Sequence, residues 1–223
     1  MNVAGKSRPI FIYGQEEIDY LKRKDKKLGA AIDRIGLIQR EITPDPFTAL
    51  ISSVVSQQIS SKAAETVWNR LYTLLNVRKT ENAPLAARET EKISLAERIA
   101  RVSLTEIKAC GMSERKAGYI KGIAEAALAG DMDFRKIHTL TDEEIISKLS
   151  SLRGVGVWTA EMLLIFSLNR LNVLSYKDLA ICRGMMNLYG HKELSKERFE
   201  RYRKRYSPYC SVASLYLWAL SVE

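Results

Sequence analysis

Apolar residues recur at helical spacing along nearly the whole chain. Phe47, Leu50, Ile51, Val54 and Val55 trace an i, i+3, i+4, i+7, i+8 stripe, which predicts an amphipathic helix. Asp45 ahead of it can cap, and Pro46 suits the first helical position. A following helix from Lys62 is expected to carry Ala63, Val67, Trp68 and Leu71 inward. The polar run Ser56-Gln57-Gln58-Ile59-Ser60-Ser61 between them predicts a solvent-facing turn. Upstream, Glu16 to Gly36 mixes charge with Ile18, Leu21, Leu28, Ile32 and Ile35 and predicts one or two short helices. The basic run Lys22–Lys27 reads as a solvated face.

Downstream, Asn76 to Glu91 is polar, contains Pro84 and predicts a loop. Ser94 to Arg101 can form a helix. Ser103 with Glu106 makes a capping box for a short helix ending at Gly111. Ser113 can cap a helix over Glu114–Ala129 with Tyr119, Ile120, Ile123 and Ala127 inward. Lys116 and Lys121 on that helix face either a charged partner or water. Thr141 with Glu144 is another capping box, and Ile145, Ile146 and Leu149 then share a face. Leu152-Arg153-Gly154-Val155-Gly156 cannot continue a helix, because glycines so close favour a turn with positive φ. A helix resumes at Val157 and runs to about Leu168, with Ala160, Leu163, Leu164 and Ser167 at helical spacing. Ile181–Leu188 and Lys196–Tyr206 follow, the latter capped by Ser195. Pro208 breaks the pattern before an apolar helix over Ser211–Leu220 that contains Trp218. With no internal repeat and no strand-like alternation, the fold class is all-α.

The segment from Thr141 to Arg183 carries most of the chemistry. A Gly-x-Gly turn feeding a helix N-terminus points backbone N–H groups outward, which suits a phosphate and needs no side chain. The same turn also serves as a plain helix connector. Trp158 lies on the first turn of the second helix. Asp178 follows it by 178 − 158 = 20 positions, where Ser-Tyr-Lys-Asp can restart a helix. Asp178 is therefore either a helix cap or a reactive carboxylate.

Charge and cysteine usage narrow the classes. The 223 residues carry a formal net charge of +9, a balance that favours a polyanionic partner. It is shared with proteins that are merely basic. Cys110, Cys182 and Cys210 are odd in number and far apart, so they form neither a disulfide framework nor a zinc pattern. His138 and His191 read as ordinary surface residues. The leading MNVAGKSRPI has no apolar core of signal-peptide length, and no stretch is long enough to span a bilayer. A soluble, cytoplasmic protein without membrane contact is expected.

LRGVGVWTAEMLL followed by YKDLAICRGM resembles the helix–hairpin–helix superfamily of DNA glycosylases, and within it the 3-methyladenine DNA glycosylase II branch, which removes alkylated bases. The likeness covers about Asp45 to Trp218. The family's hairpin usually has proline where this chain has Arg153. Trp158 holds the position that is lysine in members that also cut the strand. The catalytic aspartate falls on Asp178, with Lys177 in place of the acidic residue that often precedes it. Ser-Gln-Gln-Ile-Ser resembles the wedge loop, with Gln58 as the residue inserted into the duplex.

The resemblance implies a monofunctional glycosylase with Asp178 as its catalytic carboxylate. It also implies a base pocket of Trp158, Trp218 and Tyr176, and DNA contacts from Gln58, Gly154, Val155 and Gly156. Two helical lobes are implied, residues 45–169 and residues 1–44 with 170–223, with an active-site cleft between them. A Na+ or K+ ion held by the main-chain carbonyls of Ser150, Leu152 and Val155 is implied as a structural option. No other cofactor is required, and the cysteine spacing excludes the iron–sulfur loop of another branch. Double-stranded DNA with damaged bases is the expected partner and a monomer the expected state. Two alternatives stand beside this one: a non-catalytic DNA-binding module, and a glycosylase with lyase activity using Lys177.

Overall fold

The computed structural model describes residues 9–81 and 94–222, with side chains described outside 76–81. Among the described residues twelve α-helices follow one another: α1 (Gln15–Lys24), α2 (Lys26–Ile35), α3 (Pro46–Ser56), α4 (Ser61–Glu81), α5 (Leu95–Arg101), α6 (Leu104–Ala109), α7 (Glu114–Ala129), α8 (Asp142–Ser151), α9 (Val157–Phe166), α10 (Leu179–Tyr189), α11 (Lys196–Tyr206) and α12 (Cys210–Leu220). Among the described residues the only β feature is an isolated antiparallel bridge between Ile10 and Glu41. No helix among them is long and apolar enough to cross a membrane.

Local sequence sets most helix starts. Asp45 accepts from Thr48 N at 2.8 Å, with Pro46 inside the first turn of α3. Capping boxes open α5 at Ser94, α6 at Ser103 and α8 at Thr141. Ser113 and Ser195 cap α7 and α11. Each such cap satisfies N–H groups that the helix cannot.

Residues Asp45–Ala160 form one compact unit, and residues 1–44 with Glu161–Glu223 form the other. The boundary therefore falls inside α9 at Ala160, not at Asn169 as the resemblance implies. In the first of these units α7 packs on α5, α6 and α3, and α3 on α4. Its core includes Leu50, Ile51, Val54, Ile99, Ile107, Ile120 and Leu149, all fully buried. In the other, α10 packs on α12 and α2 on both of them, around Leu21, Leu28, Ile181, Met185, Tyr206 and Tyr216.

Four expectations need correction. Ala64, not Ala63, joins Val67, Leu71 and Leu75 on the buried stripe of α4, and Trp68 is only half-buried. The phase is set by the large residues, and 64 lies one turn before 67. The loop expected from Asn76 begins later, since α4 continues to Glu81; the rest of it lies outside the described residues, as does most of the expected N-terminal arm. His191 is no plain surface residue. Its Nε2 is 2.8 Å from the Tyr202 hydroxyl, and its ring stacks near Tyr189. Lys116 and Lys121 are not simply water-facing. Lys116 Nζ donates to Val55 O at 2.9 Å and to Gln57 O, and Lys121 Nζ to Ala100 O and Val102 O at 3.1 and 2.7 Å. Each ammonium thus closes the carboxyl end of a helix, α3 or α5, where carbonyls lack partners and positive charge is favoured.

Candidate DNA-repair site

The hairpin between α8 and α9 is built by two glycines with different duties. Gly154 has φ +87°, and a β-carbon there would overlap the Tyr119 ring of α7. Both the backbone and its neighbour therefore demand glycine. Gly156 has no positive φ, and a β-carbon there would meet nothing within 4 Å. Only one of the two glycines adopts the conformation expected of both. The fold itself leaves room for a side chain at 156. Val155 tucks its side chain inward and donates its N–H to Leu152 O at 3.1 Å, so that N–H is already used inside the turn. Arg153, where proline was the resemblance's expectation, is exposed at the turn.

The turn after α3 is unusual in its backbone. Gln58 has φ +57°, a conformation few non-glycine residues adopt, and its side chain is exposed. Its neighbour Gln57 is half-buried and donates its amide to Gly154 O at 3.0 Å.

Asp178 is the N-cap of α10. Its Oδ1 accepts from Ala180 N at 2.9 Å and from Ile181 N at 3.0 Å, and the residue is 7% exposed. The two backbone N–H groups at the helix start hold this carboxylate in place. Its main-chain N–H also donates to Ser175 O at 3.3 Å.

Two groups beside Asp178 carry no sequence signal. Glu161 on α9 accepts a 2.5 Å hydrogen bond from the Ser175 hydroxyl, and Ser175 is fully buried. Burial pushes the Glu161 carboxyl above the usual range; Ser175 and the Lys177 ammonium oppose the rise, and the charge of Asp178 adds to it. Burial likewise pushes the Cys182 thiol up, helped by Asp178. Glu161 reads as one more polar residue on an apolar helix until Ser175 is seen in contact with it.

The aromatic candidates differ in exposure and surroundings. Trp158 is 41% exposed on the first turn of α9. Trp218 on α12 is half-buried against Phe166, ring centroids 5.4 Å apart, and the Arg40 guanidinium lies 6.0 Å from the Phe166 ring. Tyr176 packs edge-on against Phe199 at 5.1 Å and directs its hydroxyl to Leu194 O at 3.4 Å.

Among the described residues a glycine hairpin joins two helices of an all-helical arrangement, and a fold of this kind does not by itself assign a function. Residues 51–208 match the HhH-GPD superfamily of base excision DNA repair proteins, and the chain belongs to that family. It is 33% identical over 179 residues to DNA-3-methyladenine glycosylase 1 of Schizosaccharomyces pombe, covering 79% of this chain and 73% of the relative. The solved DNA-3-methyladenine glycosidase of Bacillus halodurans superposes with a TM-score of 0.80 at 33% identity, covering 96% of this chain and 92% of that one. The 3-methyladenine DNA glycosylase of Schizosaccharomyces pombe, solved in complex with abasic DNA, gives 0.74 at 30% identity, covering 92% and 95%.

Proposed function

We infer that the protein is a monofunctional DNA glycosylase that hydrolyses the N-glycosidic bond of alkylated, 3-methyladenine-type bases in duplex DNA. The observation that carries this reading is Asp178, a buried carboxylate held by two backbone N–H groups at a helix start, in a chain where an indole follows the hairpin. Breaking the glycosidic bond builds positive charge on the sugar, as in glycoside hydrolysis. A fixed carboxylate stabilises that charge and orients the attacking water.

The remaining roles follow from chemistry. A base inside a duplex is unreachable, so the nucleotide is flipped out at a cost of roughly a few kcal/mol. Gln58, presented by a left-handed backbone, fills the gap. An alkylated purine carries positive charge, and the exposed face of Trp158 attracts such a cation by about 0.5–2 kcal/mol. Trp218 and Tyr176 are assigned supporting places in the base pocket; both spend part of their surface on neighbouring rings. The hairpin takes a DNA phosphate at Gly154–Gly156. With the Val155 N–H used inside the turn, that contact is assigned to Gly156 and the start of α9.

A Na+ or K+ ion at the hairpin fits the donor set. Carbonyls of Ser150, Leu152 and Val155 are hard oxygen ligands, each with two lone pairs, and the Ser150 hydroxyl is buried without a hydrogen-bond partner. Such an ion would add positive charge beside the phosphate. The protein is taken to act as a monomer at the chromosome.

Base-release profiling on duplexes carrying 3-methyladenine, 7-methylguanine or hypoxanthine tests the reading. Release of free base with the strand left intact is expected. Binding without release would leave a DNA-binding module.

A further inference from the structure

Gln57 is the less conspicuous of the two adjacent glutamines, and it is the one that the fold holds. Its amide donates to Gly154 O at 3.0 Å, ninety-seven positions away in the chain. A carbonyl oxygen can only accept, so this bond needs the NH2 group of the amide. Its own carbonyl accepts from Lys116 Nζ, which also donates to Val55 O at 2.9 Å. Burial lowers the Lys116 pKa, since the ammonium is partly shielded from water where it meets these carbonyls. One turn along α7 from Lys116, the Tyr119 ring fills the space where Gly154 would carry a side chain. Gln57 is thus gripped through its main chain by α7 and grips the hairpin through its side chain. Gln58 sits next to it at φ +57°.

We propose that Gln57 is a positioning residue that latches the α3–α4 turn to the hairpin, so that Gln58 and the phosphate-binding turn engage DNA as one rigid piece. It touches no substrate. This rests on the reading of Gln58 as the wedge and of the hairpin as the phosphate site. The physical gain is orientation. A strained, exposed turn moves on its own unless tied down, and a wedge that wanders loses the ordering that makes insertion favourable. The latch sets where Gln58 stands without adding a contact to undamaged duplex. It therefore affects the flipped complex and not the encounter.

Binding to two duplexes separates these effects: one undamaged, one carrying a tetrahydrofuran abasic analogue. The proteins compared are the parent, Gln57→Met, Gln57→Glu, Gln58→Ala and Gln57→Met/Gln58→Ala. Met keeps the shape without the donor, and Glu puts a carboxylate against the Gly154 carbonyl. Both single Gln57 variants are expected to bind undamaged duplex within about twofold of the parent. Both should lose about fivefold of the preference for the abasic duplex, the size of one net hydrogen bond, with Glu the worse. In the Gln58→Ala background the Gln57→Met change should cost less than about twofold, since there is no wedge left to position.

Full abasic preference in Gln57→Met and Gln57→Glu, alongside its loss in Gln58→Ala, would overturn the latch and leave the wedge reading standing. Equal loss on both duplexes would also overturn it, making Gln57 a support of the hairpin alone. Abasic preference retained by Gln58→Ala would instead remove the wedge reading, and the latch with it. Melting temperatures confirm that each variant is folded, and the ratio of the two affinities is insensitive to any inactive fraction.

Discussion

Gly184 on α10 lies flat against the backbone of Leu217 on α12: a β-carbon at 184 would overlap the Leu217 carbonyl oxygen. This close approach seats α10, whose N-cap is Asp178, against the helix that carries Trp218. The position of the carboxylate thus depends on a glycine less than two turns further along the same helix.

The sign of a glycine-to-alanine change should accordingly differ between helices. Gly184→Ala is expected to cost about 1–3 kcal/mol through overpacking against an unyielding backbone. At about 2–4 °C per kcal/mol for a chain of this size, thermal melts resolve it. Gly118→Ala on α7, where a β-carbon meets nothing within 4 Å, should instead stabilise by about 0.4–1 kcal/mol. A stabilised Gly184→Ala protein would mean that α10 and α12 do not touch as described.

The hairpin glycines should separate in the same way. Gly154→Ala is expected to lower both stability and DNA affinity, because positive φ and the Tyr119 ring both oppose it. Gly156→Val should leave the melting temperature nearly unchanged and still weaken binding to all sequences, since the obstruction is to the approaching phosphate. Titrations against salt check this, and affinity should fall steeply with salt for the parent. Unchanged affinity in Gly156→Val would reduce the turn to a connector.

Helix starts were legible in the sequence because caps are local. Thr141 with Glu144, Ser103 with Glu106 and Asp45-Pro46 each need only four residues to act, and each stands where its pattern predicts. So was the Gly-x-Gly hairpin. What escaped depends on partners far along the chain. Lys121 closes α5 from α7, Gln57 reaches Gly154, and Ser175 on a loop meets Glu161 on α9. A single-sequence pattern holds no trace of such pairs. Asp178 is legible in the sequence as a carboxylate where a helix can restart, and its two backbone donors bear out the cap.

A tyrosine-lined carboxylate should govern acid stability. Asp25 is buried at the start of α2, accepting from Leu28 N, from the Tyr189 hydroxyl at 2.6 Å and from Arg205 at 2.6 Å. Burial opposes its charge, and these three donors outweigh burial, so its pKa lies below the usual range. A lowered folded-state pKa means that its stabilisation is complete above the unfolded value, about 3.9, and is lost as pH falls through the folded one. Asp25→Asn keeps a capping oxygen and removes the charge, and should cost about 1–3 kcal/mol at pH 7, discounted because Arg205 is partly exposed. The gap in melting temperature between parent and variant should close below about pH 4. A gap that persists unchanged in acid would place its origin elsewhere.

Strand cleavage should be absent. An indole at 158 cannot form the Schiff base that lyase chemistry needs, so borohydride is expected to trap no covalent complex on DNA carrying a lesion. Trp158→Ala should reduce excision while leaving nonspecific binding largely intact. A trapped complex that disappears in Lys177→Ala would instead show a lyase built on the residue beside Asp178.

The central claim is that Asp178 acts on the sugar and does not merely cap α10, and Asp178→Asn tests it most directly. Asparagine caps a helix about as well as aspartate, so the variant should keep its melting temperature and its affinity for an abasic duplex. The amide carries no charge to offset the developing cation. Single-turnover release of 3-methyladenine should therefore fall by at least about 100-fold, the low end for loss of one preorganised electrostatic group. Near-parental excision by a folded Asp178→Asn protein would contradict the account and leave Asp178 a cap alone.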